Sequence, residues 1–265
     1  MAKGISIMSQ LLSYVNYSDE KDVNHDVAKT ILENYHQIPK LTIYELADLS
    51  FVSASTITRF IRLLGFDSYK AFKKEIEDVL KIDVDYAKNL SLATKADLLP
   101  IYQRYTENVI DNIRYTYENL DYEQLTRVTN DIYEANDIAF FGLEYANNLG
   151  MHFQNKMVSL NKFIKIGVTD EKQLELAKSL SEGALVFIVS LEGSFFYRHS
   201  ELFEILIEKK CKIIAITMLS FGKHIDYCEE VIQCNKTNSN TEGRITLNYV
   251  IELIIMHYYI NYSHL

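Results

Sequence analysis

Glycine is unevenly spread along this chain, and the unevenness limits what it can fold into. Of nine glycines in 265 residues, only Gly4 and Gly65 precede Gly142; Gly142, Gly150, Gly167, Gly183, Gly193, Gly222 and Gly243 fill the remainder. A glycine-poor stretch with apolar residues every three or four positions reads as helical. Glycines that follow apolar runs of four to seven residues read as strand-to-helix turns. Residues 1 to about 80 are therefore expected to be all-α, and residues from about 107 onward α/β. Pro39 precedes one compact helical unit, and Pro100 opens a long helical stretch after the less regular segment 81–99.

The second half alternates strand and helix patterns. Residues 137–141 (DIAFF) read as a strand, then Gly142 and a helix through Met157. KFIKIG reads as a strand before the helix DEKQLELAKSLS, with Asp170 near its start. ALVFIVS reads as a strand before a helix from about Phe195 to Lys209. KIIAIT, a weak strand EVIQC and a final helix from about Thr241 to Tyr262 complete the series. Such spacing implies a parallel sheet with helices on both faces. Ligands of such sheets bind beyond the carboxyl ends of the strands, at the switch point.

Composition bounds the rest. An apolar fraction of 48% is ample for a core. Cys211, Cys228 and Cys234 form no CxxC pair, which points to a reducing, cytoplasmic setting. No apolar run reaches the 18 or so residues a membrane span needs. His152, His199, His224 and His257 are scattered, so no metal site and no cofactor is expected.

The formal charge of −9 argues against a nucleic-acid partner only if it is evenly distributed, and it is not. Between Lys40 and Lys74 lie six basic residues and three acidic ones, a local excess of +3. Within this segment Thr42 and Glu45 form the T-x-x-E pattern of a capping box. Ile43, Leu46, Ala47 and Leu49 share one face of the helix that follows. Ser50-Phe51-Val52 reads as a short turn, and Ser53 as the cap of a second helix. There Ile57, Phe60, Ile61 and Leu64 face the core, while Ser55, Thr58, Arg59 and Arg62 line the opposite face. Gly65 ends the helix. Small hydroxyls and arginines are the side chains that reach phosphates and base edges from a helix in the major groove. Periodicity alone favours an ordinary helical hairpin with a solvated polar face.

Leu46, Ala47, Val52, Ser53, Thr56, Ile57, Arg59, Phe60, Leu64, Gly65 and Phe66 fall in register with the pattern L-A-x-x-x-x-V-S-x-x-T-I-x-R-F-x-x-x-L-G-F. In these residues the chain resembles the RpiR/MurR-type bacterial transcriptional regulators over residues 1–80. The resemblance implies a helix-turn-helix DNA-binding domain (1–80), a linker and helical lead-in (81–106) and a SIS, or sugar isomerase-like, domain (107–265). It implies a cytoplasmic, non-enzymatic regulator of carbohydrate metabolism. Such a protein would bind a near-palindromic operator as a homodimer or higher oligomer, with a possible sugar-derived effector. Thr42, Ser53, Ser55, Thr56, Thr58, Arg59, Arg62, Lys70, Lys73 and Lys74 are the expected DNA contacts. A sugar-phosphate isomerase or a scaffold without DNA binding are the alternatives.

The expected ligand residues are Gly142, Glu144, Ser190, Glu192, Gly193 and Ser194. Relatives of this type carry G-x-G-x-S after the first strand and S-x-S-G-x-T after a later one. Here Gly142, Ser190 and Gly193 survive, but Glu144, Ala146, Glu192 and Phe195 replace residues of the pattern. A phosphate cradle works through backbone N–H groups and short hydroxyls. An ionised Glu donates nothing, and two charges about 4 Å apart interact by about 4 kcal/mol at an effective dielectric near 20, roughly three decades of affinity. The usual phosphosugar mode is therefore expected to be weakened or lost. Three readings of Glu192 stay open: a built-in anion at a helix start, an acceptor for a neutral or cationic ligand, or a solvated side chain that binds nothing.

Overall fold

The computed structural model describes residues 7–19, 22–81, 98–143, 145–220, 222, 224–238 and 242–263. It divides into two compact units, Met1–Val84 and Asp85–Leu265.

The first unit contains α1 (Ile7–Tyr17), α2 (Val23–Glu33), a 3₁₀ turn at Ile38–Lys40, α3 (Ile43–Leu49), α4 (Ala54–Leu63) and α5 (Tyr69–Lys81). Apolar residues at helical spacing meet in one core of Leu11, Val27, Ile31, Leu46, Ile57, Phe60, Phe72 and Ile76, all fully buried. Burying each such side chain contributes about 1.5–3 kcal/mol. Ala47 is buried where α3 meets α4. Leu49, expected on the same face, is instead 44% exposed. The chain leaves the helix at Ser50, which takes the buried place.

The second unit begins with α6 (Leu98–Asn119), with Pro100 in its first turn, and α7 (Tyr122–Glu134). Because α6 is continuous, the division expected at residues 106–107 falls inside a helix. Then follow β1 (Ile138–Gly142), α8 (Tyr145–Val158), β2 (Lys165–Ile166), α9 (Asp170–Ser179), β3 (Leu185–Val189), α10 (Ser194–Arg198), α11 (Ser200–Glu208), β4 (Lys212–Thr217), β5 (Glu230–Gln233) and α12 (Gly243–Tyr262). All strands are parallel, in the order β2-β1-β3-β4-β5.

Side chains alternate across this sheet, as strand geometry requires. Phe140, Phe187, Val189, Ile214 and Ile216 pack on one face with α7, α8 and α12. Ala139, Phe141, Val186, Ile188 and Ala215 pack on the other with α9, α10 and α11. Both faces are covered, which is why β1, β3 and β4 read as unbroken apolar runs. β2 is far shorter than its apolar run suggests, pairing only Lys165 and Ile166 with β1. The single helix expected from Phe195 to Lys209 is broken at His199, whose backbone (φ −117°, ψ 44°) leaves the helical region. Its ring stacks on Phe195 at 4.6 Å, and its Nε2 lies 3.7 Å from an Asp170 oxygen. Among the described residues no helix is long and apolar enough to cross a membrane.

Candidate functional site

The helix pair α3–α4 is held by local hydrogen bonds that its sequence encodes. Thr42 Oγ1 accepts from Glu45 N (3.2 Å), and Glu45 Oε2 accepts from Thr42 N (2.7 Å), a complete capping box. These bonds hold the Glu45 carboxyl below its ordinary range. Ser53 Oγ accepts from Thr56 N at 3.2 Å and starts α4. At the end of α4, Gly65 N donates to Arg62 O and Phe66 N to Ile61 O, with Gly65 at φ 88°. The end of α3 repeats this pattern: Phe51 N donates to Asp48 O and Val52 N to Ala47 O, with Phe51 at φ 53°. A non-glycine residue there sacrifices about 1–2 kcal/mol.

The expected DNA contacts divide once their partners are known. Ser55, Arg59, Arg62, Lys70 and Lys74 are exposed. Thr42 and Ser53 are committed to helix caps, and Thr56 Oγ1 lies 2.9 Å from Ser53 Oγ. Thr58 Oγ1 donates back to Ala54 O (2.9 Å). Lys73, expected on phosphate, is half-buried and donates to Leu41 O at 2.7 Å with its ammonium over the Tyr69 ring. Tyr69 donates to the same carbonyl at 3.1 Å, and burial pushes its hydroxyl up to about 12. Lys73 and Tyr69 thus tie α5 to the segment before α3, a role its charge did not reveal. Phe51, read only as a turn residue, is 96% exposed.

In the second unit the chain leaves β1 for β2 on one side and returns to β3 on the other. The switch point therefore lies between β1 and β3, where Gly142 sits beside Val189. Gly142 ends β1 there, and Ser190 follows the last residue of β3. A Cβ on Gly142 would lie 2.6 Å from the Ala146 Cβ, so glycine lets α8 approach the strand. The Gln173 amide spans the Gly142 backbone: its Nε2 donates to Gly142 O (3.0 Å), and its Oε1 accepts from Gly142 N (3.3 Å). Glu144 lies outside the described residues.

The β3–α10 turn differs from a vacant phosphate cradle. Ser190 is buried, and its Oγ accepts from Phe195 N at 3.1 Å. Gly193 is buried at φ 76°, and a Cβ there would lie 2.3 Å from Leu219 Cδ1. Ser194 is exposed at the first position of α10, which has only five residues. Glu192 is exposed, and its Oε1 accepts from Asn238 Nδ2 at 2.9 Å. Asn238 Oδ1 in turn accepts from Gly243 N (3.2 Å). Of the three readings of Glu192, the anion at the helix start has no such hydrogen bond here: the Phe195 N–H goes to Ser190. The carboxylate instead joins the β3–α10 turn to the start of α12. Beside it, the Arg244 guanidinium lies 5.5 Å from the Tyr145 ring centre, and Tyr145 donates to Arg244 O.

The histidines have separate surroundings. His152 Nε2 lies 2.6 Å from Glu252, His257 Nε2 lies 3.3 Å from Thr126 Oγ1, and His224 packs among Phe196, Tyr197 and Phe203. Among the described residues no three His, Cys, Asp or Glu side chains form a metal-binding group. Burial holds the Asp170 carboxyl up at about 6, with Glu171 adding to the rise, and lowers His199 below its ordinary value.

Comparison with known proteins places these geometries. Residues 6–83 match the helix-turn-helix domain of the rpiR family. An uncharacterized HTH-type transcriptional regulator of Caldanaerobacter subterraneus is 25% identical over 199 residues, covering 73% of this chain and 67% of the relative. The HTH-type transcriptional regulator HexR of Pseudomonas aeruginosa is 26% identical over 183 residues, covering 68% and 61%. Among solved structures, Vibrio vulnificus NanR complexed with ManNAc-6P superposes with a TM-score of 0.55 at 17% identity, over 97% of this chain and 92% of that one. The sugar isomerase domain of an RpiR transcription factor from Sphaerobacter thermophilus gives 0.52 at 16% identity, over 63% and 92%. These likenesses establish the SIS fold of the second unit.

Proposed function

From the premise that this chain is an HTH-type transcriptional regulator with an rpiR-family DNA-binding domain, we propose that it binds a near-palindromic operator as a homodimer or larger oligomer. Ser55, Arg59 and Arg62 enter the major groove from α4. Lys70 and Lys74 meet phosphates, while Thr42, Ser53, Thr56, Thr58 and Lys73 hold the reading surface in shape. The observation that carries this reading is the pair of exposed arginines on a helix that buries Ile57, Phe60 and Ile61 and whose two ends are locally capped. Arginine is the residue type that reads guanine edges bidentately, and a local cationic face suffices for phosphate attraction in an acidic chain.

The domains we propose are 1–80 for DNA and 107–265 for the SIS part, joined by a linker and helical lead-in, 81–106, that includes the first turns of α6. The setting is cytoplasmic, the role is non-enzymatic, and the regulated genes serve carbohydrate metabolism. The proposed effector site comprises Gly142, Ser190, Glu192, Gly193 and Ser194 near the switch point, together with Glu144, which lies outside the described residues. Two observations support an altered site: Ser190 already accepts the Phe195 N–H, and Glu192 presents a carboxylate held by Asn238. A sugar-derived effector without a phosphate fits such a turn better than a sugar phosphate.

Two measurements test these assignments. Gel shifts with duplexes enriched from a random library should show binding that weakens steeply as salt rises. Absence of binding at low salt, with and without sugar phosphates, would defeat the DNA reading. Melts of the wild-type chain and of Glu192→Ser with glucosamine 6-phosphate and related esters test the effector site. A phosphate ester that raises the wild-type melting temperature as much as the variant's would refute the altered-site reading.

A further inference from the structure

We propose that Phe51 is a further DNA contact, its ring meeting apolar C–H surface of the duplex beside the recognition helix. This rests on the DNA-binding reading above and extends it to a residue outside the cationic face. Three observations carry it. Phe51 holds a left-handed backbone, φ 53°, which a bulky side chain rarely adopts. Its side chain is 96% exposed, and among the described residues it stacks on no other ring. The end of α4 supplies an internal comparison: the same pair of backbone hydrogen bonds closes that helix with Gly65, at φ 88°. The turn itself thus asks for glycine, and packing gives no reason for phenylalanine.

Strained residues are retained where surroundings and function over-determine them. Phe51 stands two residues ahead of Ser53, the cap of α4, at the end of the recognition helix whose first turn carries exposed Ser55. Arg59 and Arg62 give the same helix the charge that draws a phosphate backbone toward it. DNA presents apolar carbon to such a ring in two forms, the thymine C5-methyl in the major groove and the deoxyribose.

The test uses the full chain and a duplex enriched from a random library by the wild-type protein. Affinities are measured by fluorescence anisotropy for wild type, Phe51→Gly, Phe51→Ala and Phe51→Leu. Each is repeated on duplexes with thymine replaced by uracil one position at a time. Phe51→Gly and Phe51→Ala are expected to bind about tenfold more weakly, with Phe51→Leu recovering most of the loss. Phe51→Gly is expected to melt several degrees higher, so that weaker binding is not a folding defect. A uracil substitution that weakens wild type but not Phe51→Gly identifies a methyl contact; uniform insensitivity identifies the sugar. Phe51→Gly binding within twofold of wild type overturns the inference and leaves the DNA reading standing. Wild type that binds no duplex overturns both.

Discussion

Gly193→Ala tests how tightly the turn after β3 is built. At φ 76° the added Cβ meets a backbone conformation unfavourable for any L-residue, by about 1–2 kcal/mol. The lower entropy of an alanine-containing unfolded chain offsets about 0.4–1 kcal/mol of this. The same Cβ would lie 2.3 Å from Leu219 Cδ1, in the loop after β4, and such overpacking adds about 1–3 kcal/mol. The expected loss is therefore about 2–4 kcal/mol, the upper end applying if Leu219 cannot turn aside. Gly183→Ala is the matched control, because Gly183 has φ 75° but no heavy atom within 4 Å of the new Cβ. Its expected loss is only about 1 kcal/mol. Urea unfolding followed by far-ultraviolet circular dichroism reads both losses as shifts in midpoint. Adding Leu219→Ala to Gly193→Ala should recover part of the difference if the clash is its cause. Equal losses for Gly193→Ala and Gly183→Ala would refute the claim that the two loops are in enforced contact.

Arg59→Ala should weaken binding to a selected duplex by about 1–3 kcal/mol and relax preference at one base position, whereas Lys74→Ala should weaken all duplexes alike and flatten the salt dependence; anisotropy titrations at two salt concentrations separate the two. Thr42→Ala removes the capping box and should destabilise the first unit by about 1 kcal/mol in urea unfolding, an expectation that fails if the midpoint does not move. The carboxyl of Asp170 is raised by burial to about 6, so the stability tied to its protonated form is full below about 3.8 and lost as pH rises through about 6. Asp170→Asn should therefore stabilise the protein at pH 7.5 by roughly 1–2 kcal/mol after allowance for the helix start it occupies, with little gain at pH 4. Burial pushes the thiols of Cys228 and Cys234 up to about 12 and also raises Cys211. A thiol reagent at pH 8 should label all three cysteines far more slowly in the native protein than in urea.

The features read correctly from the sequence are those whose causes lie within a few residues. Thr42 with Glu45, Ser53 with Thr56, and Gly65 after Leu64 are local bargains between side chain and backbone, so their spacing announces them. β1, β3 and β4 announce themselves by unbroken apolar runs, because both faces of the sheet are covered. Lys73 did not reveal its role, since its partner carbonyl on Leu41 lies 32 residues away. The tie between Glu192 and Asn238 spans 46 residues and was equally hidden. The break at His199 escaped periodicity because apolar spacing continues through it. At the break His199 stacks on Phe195, four residues back, and lies against Asp170 of another helix, a neighbour that periodicity cannot show.

The amide of Gln173 on Gly142 has a consequence for how copies of this protein can associate. β2 pairs with β1 at only two residues, which would leave the rest of β1 open to a foreign strand, yet Gln173 occupies the N–H and C=O of Gly142 just past that pairing. At the opposite margin Gln124 donates to Val231 O of β5, and Arg127 lies against Glu230. The N–H and C=O of Gly142 and the carbonyl of Val231 are thus unavailable to the edge-to-edge strand addition that turns sheets into aggregates. Contact between copies of the second unit, if it occurs, would fall to helices, where Met256, Tyr259 and Ile260 of α12 expose apolar surface.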